Sequence, residues 1–131
     1  MASTPEGRVK AQIKRQLDAW GFWRAGSPEP KVDVVGWYYM PVSNGMGVHG
    51  IPDFVGCYLG RFFAIEAKAP GELDNTTANQ DNRHKEIRAA QGIVLVADDV
   101  EIVRDWYYEG HTAKETVRHT IRVLAGADQE P

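Results

Sequence analysis

The sequence predicts an α/β fold, a mixed β-sheet flanked by helices, and three features carry that prediction. An amphipathic stripe runs through residues 4–20, where Val9, Ile13, Leu17 and Trp20 recur at spacings of four, four and three. Two strand-like runs, Asp53–Tyr58 and Arg61–Lys68, meet at Leu59-Gly60. A helical segment over 76–91 then leads to Ile93–Ala97, a short and wholly apolar run that suits a buried strand. A hairpin followed by a helical crossover into a further strand makes the sheet mixed, with helices covering its faces.

In chain order, Thr4 caps the first helix, Pro5 suits its first turn and Gly21 stops it. Glu6 falls three residues before Val9, which puts it at the N-terminal end of the inward stripe. Gly26-Ser27-Pro28-Glu29-Pro30 is a loop. Residues 32–42, rich in Val, Trp and Tyr, predict a strand. Ser43-Asn44-Gly45-Met46-Gly47 is a flexible connection, and residues 70–75 form another loop. Gly92 ends the second helix. Helices are expected over Asp99–Tyr108 and Ala113–Leu124. One domain over residues 1–126 and a frayed tail over 127–131 complete the expectation.

Composition narrows the function classes. The 131 residues are 43% hydrophobic and 25% charged, the balance of a soluble globular chain. Lone Cys57 forms no intrachain disulfide. No apolar run reaches membrane-spanning length, and Met1 to Lys10 lacks a signal-peptide core, so a cytoplasmic protein is expected. The net charge of −3 gives no general support for nucleic-acid binding, which must rest on local charge or a site. His49, His84, His111 and His119 show no paired ligand spacing, Ser43 lacks a nucleophile-elbow context, and Gly45, Gly47 and Gly50 lack the Lys-Ser/Thr of a P-loop.

The informative run is Phe62-Phe63-Ala64-Ile65-Glu66-Ala67-Lys68. Alternation places Phe62, Ala64, Glu66 and Lys68 on one face of the strand. A two-residue turn at Leu59-Gly60 pairs Tyr58 with Arg61 and, counting outward, Asp53 with Glu66. Leu59 is not the residue a primed turn prefers, and a bulge would alter this register. In it, two carboxylates face each other beside an ammonium. Opposed like charges destabilise a sheet, which points to a cation between them. Carboxylate oxygens suit a hard divalent ion that keeps positions for water and phosphate. Lys68 would stabilise phosphate charge or orient the attacking water, and these are the parts phosphodiester hydrolysis needs. A solvated strand-end lysine is the plain alternative.

These residues resemble the PD-(D/E)xK nuclease motif: Ile51-Pro52-Asp53, then Glu66-Ala67-Lys68 thirteen positions after the aspartate. With Gly50 to Gly56, Gly60-Arg61-Phe62, Gln80 and Gly92 before an apolar strand, residues 36–98 resemble the VRR-NUC branch, the virus-type replication-repair nucleases. The resemblance implies a restriction-endonuclease-like core. It implies that Asp53 and Glu66 bind Mg²⁺ or Mn²⁺, with the Ala67 carbonyl as a further ligand. Lys68 would be the catalytic lysine, Gln80 the helix glutamine near the site, and Glu6 the acidic residue of the first helix. The implied activity is DNA endonuclease, acting as a homodimer on branched DNA such as Holliday junctions. The implied source is a virus or prophage, and the implied location the host cytoplasm.

Helical spacing supports two of these residues separately. Gln80 shares a face with His84, Ile87 and Gln91, and Glu6 shares the stripe of its helix. A buried hydrogen-bonded amide is the other reading of Gln80. A first-turn acid favoured by the helix dipole is the other reading of Glu6. Segment 6–24 is locally +3, and Arg8, Lys14 and Arg15, with Arg83 on the second helix, could track a phosphate backbone. A solvated helix face is the alternative for each. His49 is a phosphate contact or an ordinary loop histidine. Trp37, Tyr38 and Tyr39 either stack on bases or fill a core or dimer contact. Two other function classes stay open: a catalytically silent nucleic-acid-binding module, and an interaction protein in which Glu66–Lys68 is a surface ion pair.

Overall fold

The computed structural model describes residues 3–42 and 45–110. Helix α1 (Pro5–Trp20) starts where Thr4 accepts a hydrogen bond from the Gly7 amide at 2.9 Å. It ends at Gly21, whose φ of 100° is left-handed. A side chain at Gly21 would also strike the Asp33 carbonyl, 2.3 Å from where its Cβ would sit. Three strands then build one edge of the sheet: β1 (Phe22–Arg24), β2 (Gly36–Tyr39) and β3 (Phe54–Tyr58). Next come β4 (Arg61–Ala67), α2 (Ala78–Ala89), β5 (Ile93–Ala97) and a third helix, α3, over residues 100–110.

The sheet runs in the order β1-β2-β3-β4-β5. Both outer pairs, β1 with β2 and β4 with β5, are parallel, and the two inner pairings are antiparallel. The fold is thus α/β with a five-stranded mixed sheet. In the hairpin, Tyr58 pairs with Arg61 and Phe54 with Ile65, the register counted from a two-residue turn. Leu59 and Gly60 both take positive φ, 55° and 75°, so the turn is the primed kind even with leucine at its first position.

Two expectations change. β1 lies in a segment that the sequence left between a helix stop and a loop. The strand expected over 32–42 shrinks to Gly36–Tyr39. The Val35 amide bonds to the Gly21 carbonyl at the joint after α1, and Pro41 has no N–H to prolong the ladder. The expected helix 113–124 and the tail lie outside the described residues. No helix among the described residues is long and apolar enough to cross a membrane.

One sheet face carries the core. Phe22, Tyr38, Phe54, Phe63 and Ile65 are fully buried there with Ile13 and Leu17 of α1 and Val103 of α3. Tyr107 of α3 stacks on Trp20 with ring centroids 3.8 Å apart. The opposite face is covered only in part. α2 packs over β5 and the Glu66–Lys68 end of β4, while Trp37, Tyr39, Cys57 and Phe62, at the start of β4, stay exposed.

Candidate active site

The site forms where β3 begins and β4 ends, on the face that α2 covers. The ladder starts at Phe54, so Asp53 stands one residue beyond it. Its carboxylate closes the gap: Oδ2 accepts from the Ala67 amide at 2.8 Å, which brings the Asp53 carboxyl close enough to act on that of Glu66. The two carboxyl groups therefore meet, as the register count required. Gly50 makes the approach possible. It has a φ of 86°, and its Cβ would lie 2.3 Å from the backbone of Asn79 at the start of α2. The 45–51 loop thus packs directly on that helix before delivering Pro52 and Asp53. Arg83 fastens the same loop by donating to the His49 carbonyl at 2.9 Å.

Glu66 and Lys68 are both buried, 2% and 6% exposed, which removes the reading of a solvated surface pair. The Lys68 ammonium donates to Gln80 Oε1 at 2.9 Å. The same oxygen accepts from the Thr77 amide at 3.0 Å, completing a capping box in which the Gln80 amide donates to Thr77 Oγ1. Gln80 therefore orients the lysine from a rigid helix N-terminus. Nothing in the sequence spacing joined its capping role to Lys68.

Two neighbours were not read from the sequence as site residues. His84 is buried, with Nε2 3.4 Å from Glu66 Oε1. Its signal was the four-residue step from Gln80. Lys10 brings Nζ to 3.5 Å from Asp53 Oδ1, reaching over the end of the sheet from α1. Its signal was the four-residue step from Glu6. Glu6 itself is exposed, because the buried part of the stripe starts only at Val9. Its charge still acts on Glu66.

Burial pushes the Glu66 carboxyl up, and the neighbouring Asp53 carboxyl pushes it further, to about 9; Lys68 pulls it down, and Glu6 adds a smaller upward push. His84 is held below its ordinary value by burial first and then by the Arg88 charge. Both shifts favour the uncharged forms where His84 Nε2 faces Glu66 Oε1.

No three His, Cys, Asp or Glu side chains among the described residues gather into a metal cluster. The donor set fits a hard divalent cation all the same. It is all oxygen, it holds more negative charge than it can ionise unaided, and such ions commonly take only one or two carboxylates beside water and phosphate. Asp53 and Glu66 would hold it. Ala67 contributes its amide to Asp53, which ties the two ligands together.

The other cations are placed differently. Arg8 donates to the Ser3 carbonyl, Lys14 pairs with Asp18 at 2.9 Å, and Arg83 is bound to Glu86 as well as to the loop. Arg15 lines an open groove of about 410 Å³ between α1 and α3. It lies roughly 14 Å along the helix from Glu6. His49 is exposed on the loop. Tyr38 is core, with its hydroxyl bonded to Asp18 at 2.6 Å, whereas Trp37 and Tyr39 point to the open face. No family model, curated protein or solved structure matches this chain.

Proposed function

We propose that the protein is a metal-dependent DNA endonuclease that hydrolyses phosphodiester bonds. The observation that supports this best is the Asp53–Glu66 carboxyl pair, drawn together at the Ala67 amide, beside a buried, glutamine-held Lys68. The resemblance to VRR-NUC proteins within the PD-(D/E)xK superfamily adds the finer reading. It favours branched DNA such as Holliday junctions, and a homodimer whose two sites make paired cuts. A PD-(D/E)xK core and a viral or prophage setting belong to the same proposal.

Mg²⁺ or Mn²⁺ at the two carboxylates would supply charge to a phosphoryl oxygen and acidify a bound water. The protein's own groups do the rest. The Ala67 amide keeps Asp53 turned toward Glu66. Gln80 aims the Lys68 ammonium at the mouth of the site, where it stabilises charge on the phosphate or orients water. Water adds to phosphorus, the bond to one sugar oxygen breaks, and that oxygen takes the proton. Lys10, at the rim beside Asp53, can release that contact and meet the incoming backbone.

The test is cleavage of labelled four-way junction, flap, linear duplex and single-stranded DNA in Mg²⁺, Mn²⁺ or EDTA, with Asp53→Ala and Lys68→Ala alongside. Metal-dependent cutting lost in both variants supports the proposal, and the substrate ranking tests the preference for branches. Tight binding without cutting would replace it with a silent binding module. A folded protein that neither binds nor cuts would end it.

A further inference from the structure

The open half of the second sheet face is continuous with the carboxylate site. Strand alternation sets Trp37 and Tyr39 on that face of β2, on either side of buried Tyr38. Tyr39 pairs with Val55, which is two residues from Asp53 on the same face of the chain. Trp37 pairs with Cys57, and Cys57 with Phe62. Trp37, Tyr39 and Phe62 are each 45% exposed. Two residues of strand set the Trp37 and Tyr39 Cα atoms about 7 Å apart, and the pair runs along β2 toward the site. The exposed rings here are aromatic and sheet-borne, which is how several single-strand binders present stacking platforms.

We propose that Trp37 and Tyr39 are a stacking platform for unpaired bases of the DNA strand whose phosphate enters the Asp53–Glu66–Lys68 site. This rests on the nuclease reading and sharpens it: the substrate carries single-stranded nucleotides next to the cut, as a flap or a splayed junction does. An extended strand laid from the site across β2 gives each ring one base, and the two-residue step between the rings suits an extended strand better than bases stacked on each other as in a duplex. Stacking accepts every base, so the platform selects strand state rather than sequence.

The full-length chain tests this in EDTA, where metal-dependent cutting is silent. Affinity for a labelled single strand and for a blunt duplex is measured for the wild type, Trp37→Ala/Tyr39→Ala and Trp37→Phe/Tyr39→Phe. The alanine pair is expected to lose about tenfold or more in single-strand affinity and to leave duplex affinity within about twofold. The phenylalanine pair keeps most of the single-strand binding. Cys57, the only cysteine and an exposed cross-strand neighbour of Trp37, supplies a second readout that needs no variant. Single strands should slow its alkylation and blunt duplex should not. Unchanged single-strand affinity, or an equal loss on both DNAs, overturns the proposal. So does a Cys57 already shielded before DNA is added, or a dimer that the alanine pair dissociates; either would give the face to a second copy. If the wild type cuts nothing while the alanine pair still loses single-strand binding, the nuclease reading fails and the platform stands. If the wild type cuts and the alanine pair is unaltered in binding and substrate ranking, the platform alone fails.

Discussion

Stability without metal should fall as pH rises above neutrality, because the folded state keeps a proton on Glu66 that the unfolded chain releases. The folded group titrates at about 9, against about 4.3 for a free glutamate. Its contribution is fully present below the unfolded value and is lost as pH climbs through the folded one. The slope is at most about 1.4 kcal/mol per pH unit. His84 acts in the opposite sense. Its folded value is depressed, so its contribution is present above about pH 6.5, the ordinary histidine value, and lost as pH falls below it. The two oppose each other in the mildly acidic range and leave a plateau there. Tyr38 and Tyr58 are both pushed above their ordinary value and stay protonated throughout. From about pH 7 to about pH 8.5 the raised Glu66 carboxyl is expected to cost about 2 kcal/mol, or roughly 6–10 °C in Tm. Thermal melts in chelator at constant ionic strength read this directly. Glu66→Gln, neutral and nearly isosteric, should flatten the descent. Added Mg²⁺ or Mn²⁺ should stabilise the wild type by an amount that grows with pH, because the ligand must ionise to bind. A Tm that stays level from about pH 7 to about pH 8.5, or that falls as steeply in Glu66→Gln, would refute the account of the carboxyl pair.

Other substitutions separate the parts. Gln80→Ala removes the side-chain half of the capping box, the bond accepted from the Thr77 amide, together with the Lys68 acceptor. It should cost about 1–3 kcal/mol in denaturant unfolding and lower cleavage by more than that stability loss explains. Gly50→Ala puts a methyl group 2.3 Å from the Asn79 backbone at a positive φ. It should cost roughly 1–3 kcal/mol or more and weaken cleavage by displacing Asp53, read by melts and by rate. Tyr38→Phe deletes only the bond to Asp18. It should cost about 1–2 kcal/mol and leave single-strand binding unchanged, in contrast to the alanine pair on the open face. Leu59→Asn should raise stability by about 0.5–1 kcal/mol, because asparagine tolerates the left-handed backbone of the turn better than leucine does.

Much of the site was readable because it is local. The meeting of Asp53 and Glu66 follows from counting outward from a two-residue turn, and a short hairpin leaves little freedom in that count. Gln80 was placed near the site by helical spacing. Its double role was not readable, since the capping bond is local but the lysine bond spans twelve residues. Lys10 and His84 were missed for the same reason: each reaches its carboxylate from a helix that the sequence could not dock against the strand. Arg15 and Arg83 were grouped with the phosphate-tracking cations because charge is visible in sequence and direction is not. Tertiary packing turns one into a groove and the other onto a loop carbonyl.

By itself the sequence determined α1 with its cap and stop, the β3–β4 hairpin register, the α2 segment and β5. Each is set by periodicity, turn chemistry or capping within a few residues. Only the tertiary structure decided that Phe22–Arg24 joins the sheet beside β2, because a three-residue strand has no period of its own and exists through its partner. Only the tertiary structure decided which ring of Trp37-Tyr38-Tyr39 is core. Alternation divides such a run into two faces, but covering one face and leaving the other open is the work of helices distant in the chain.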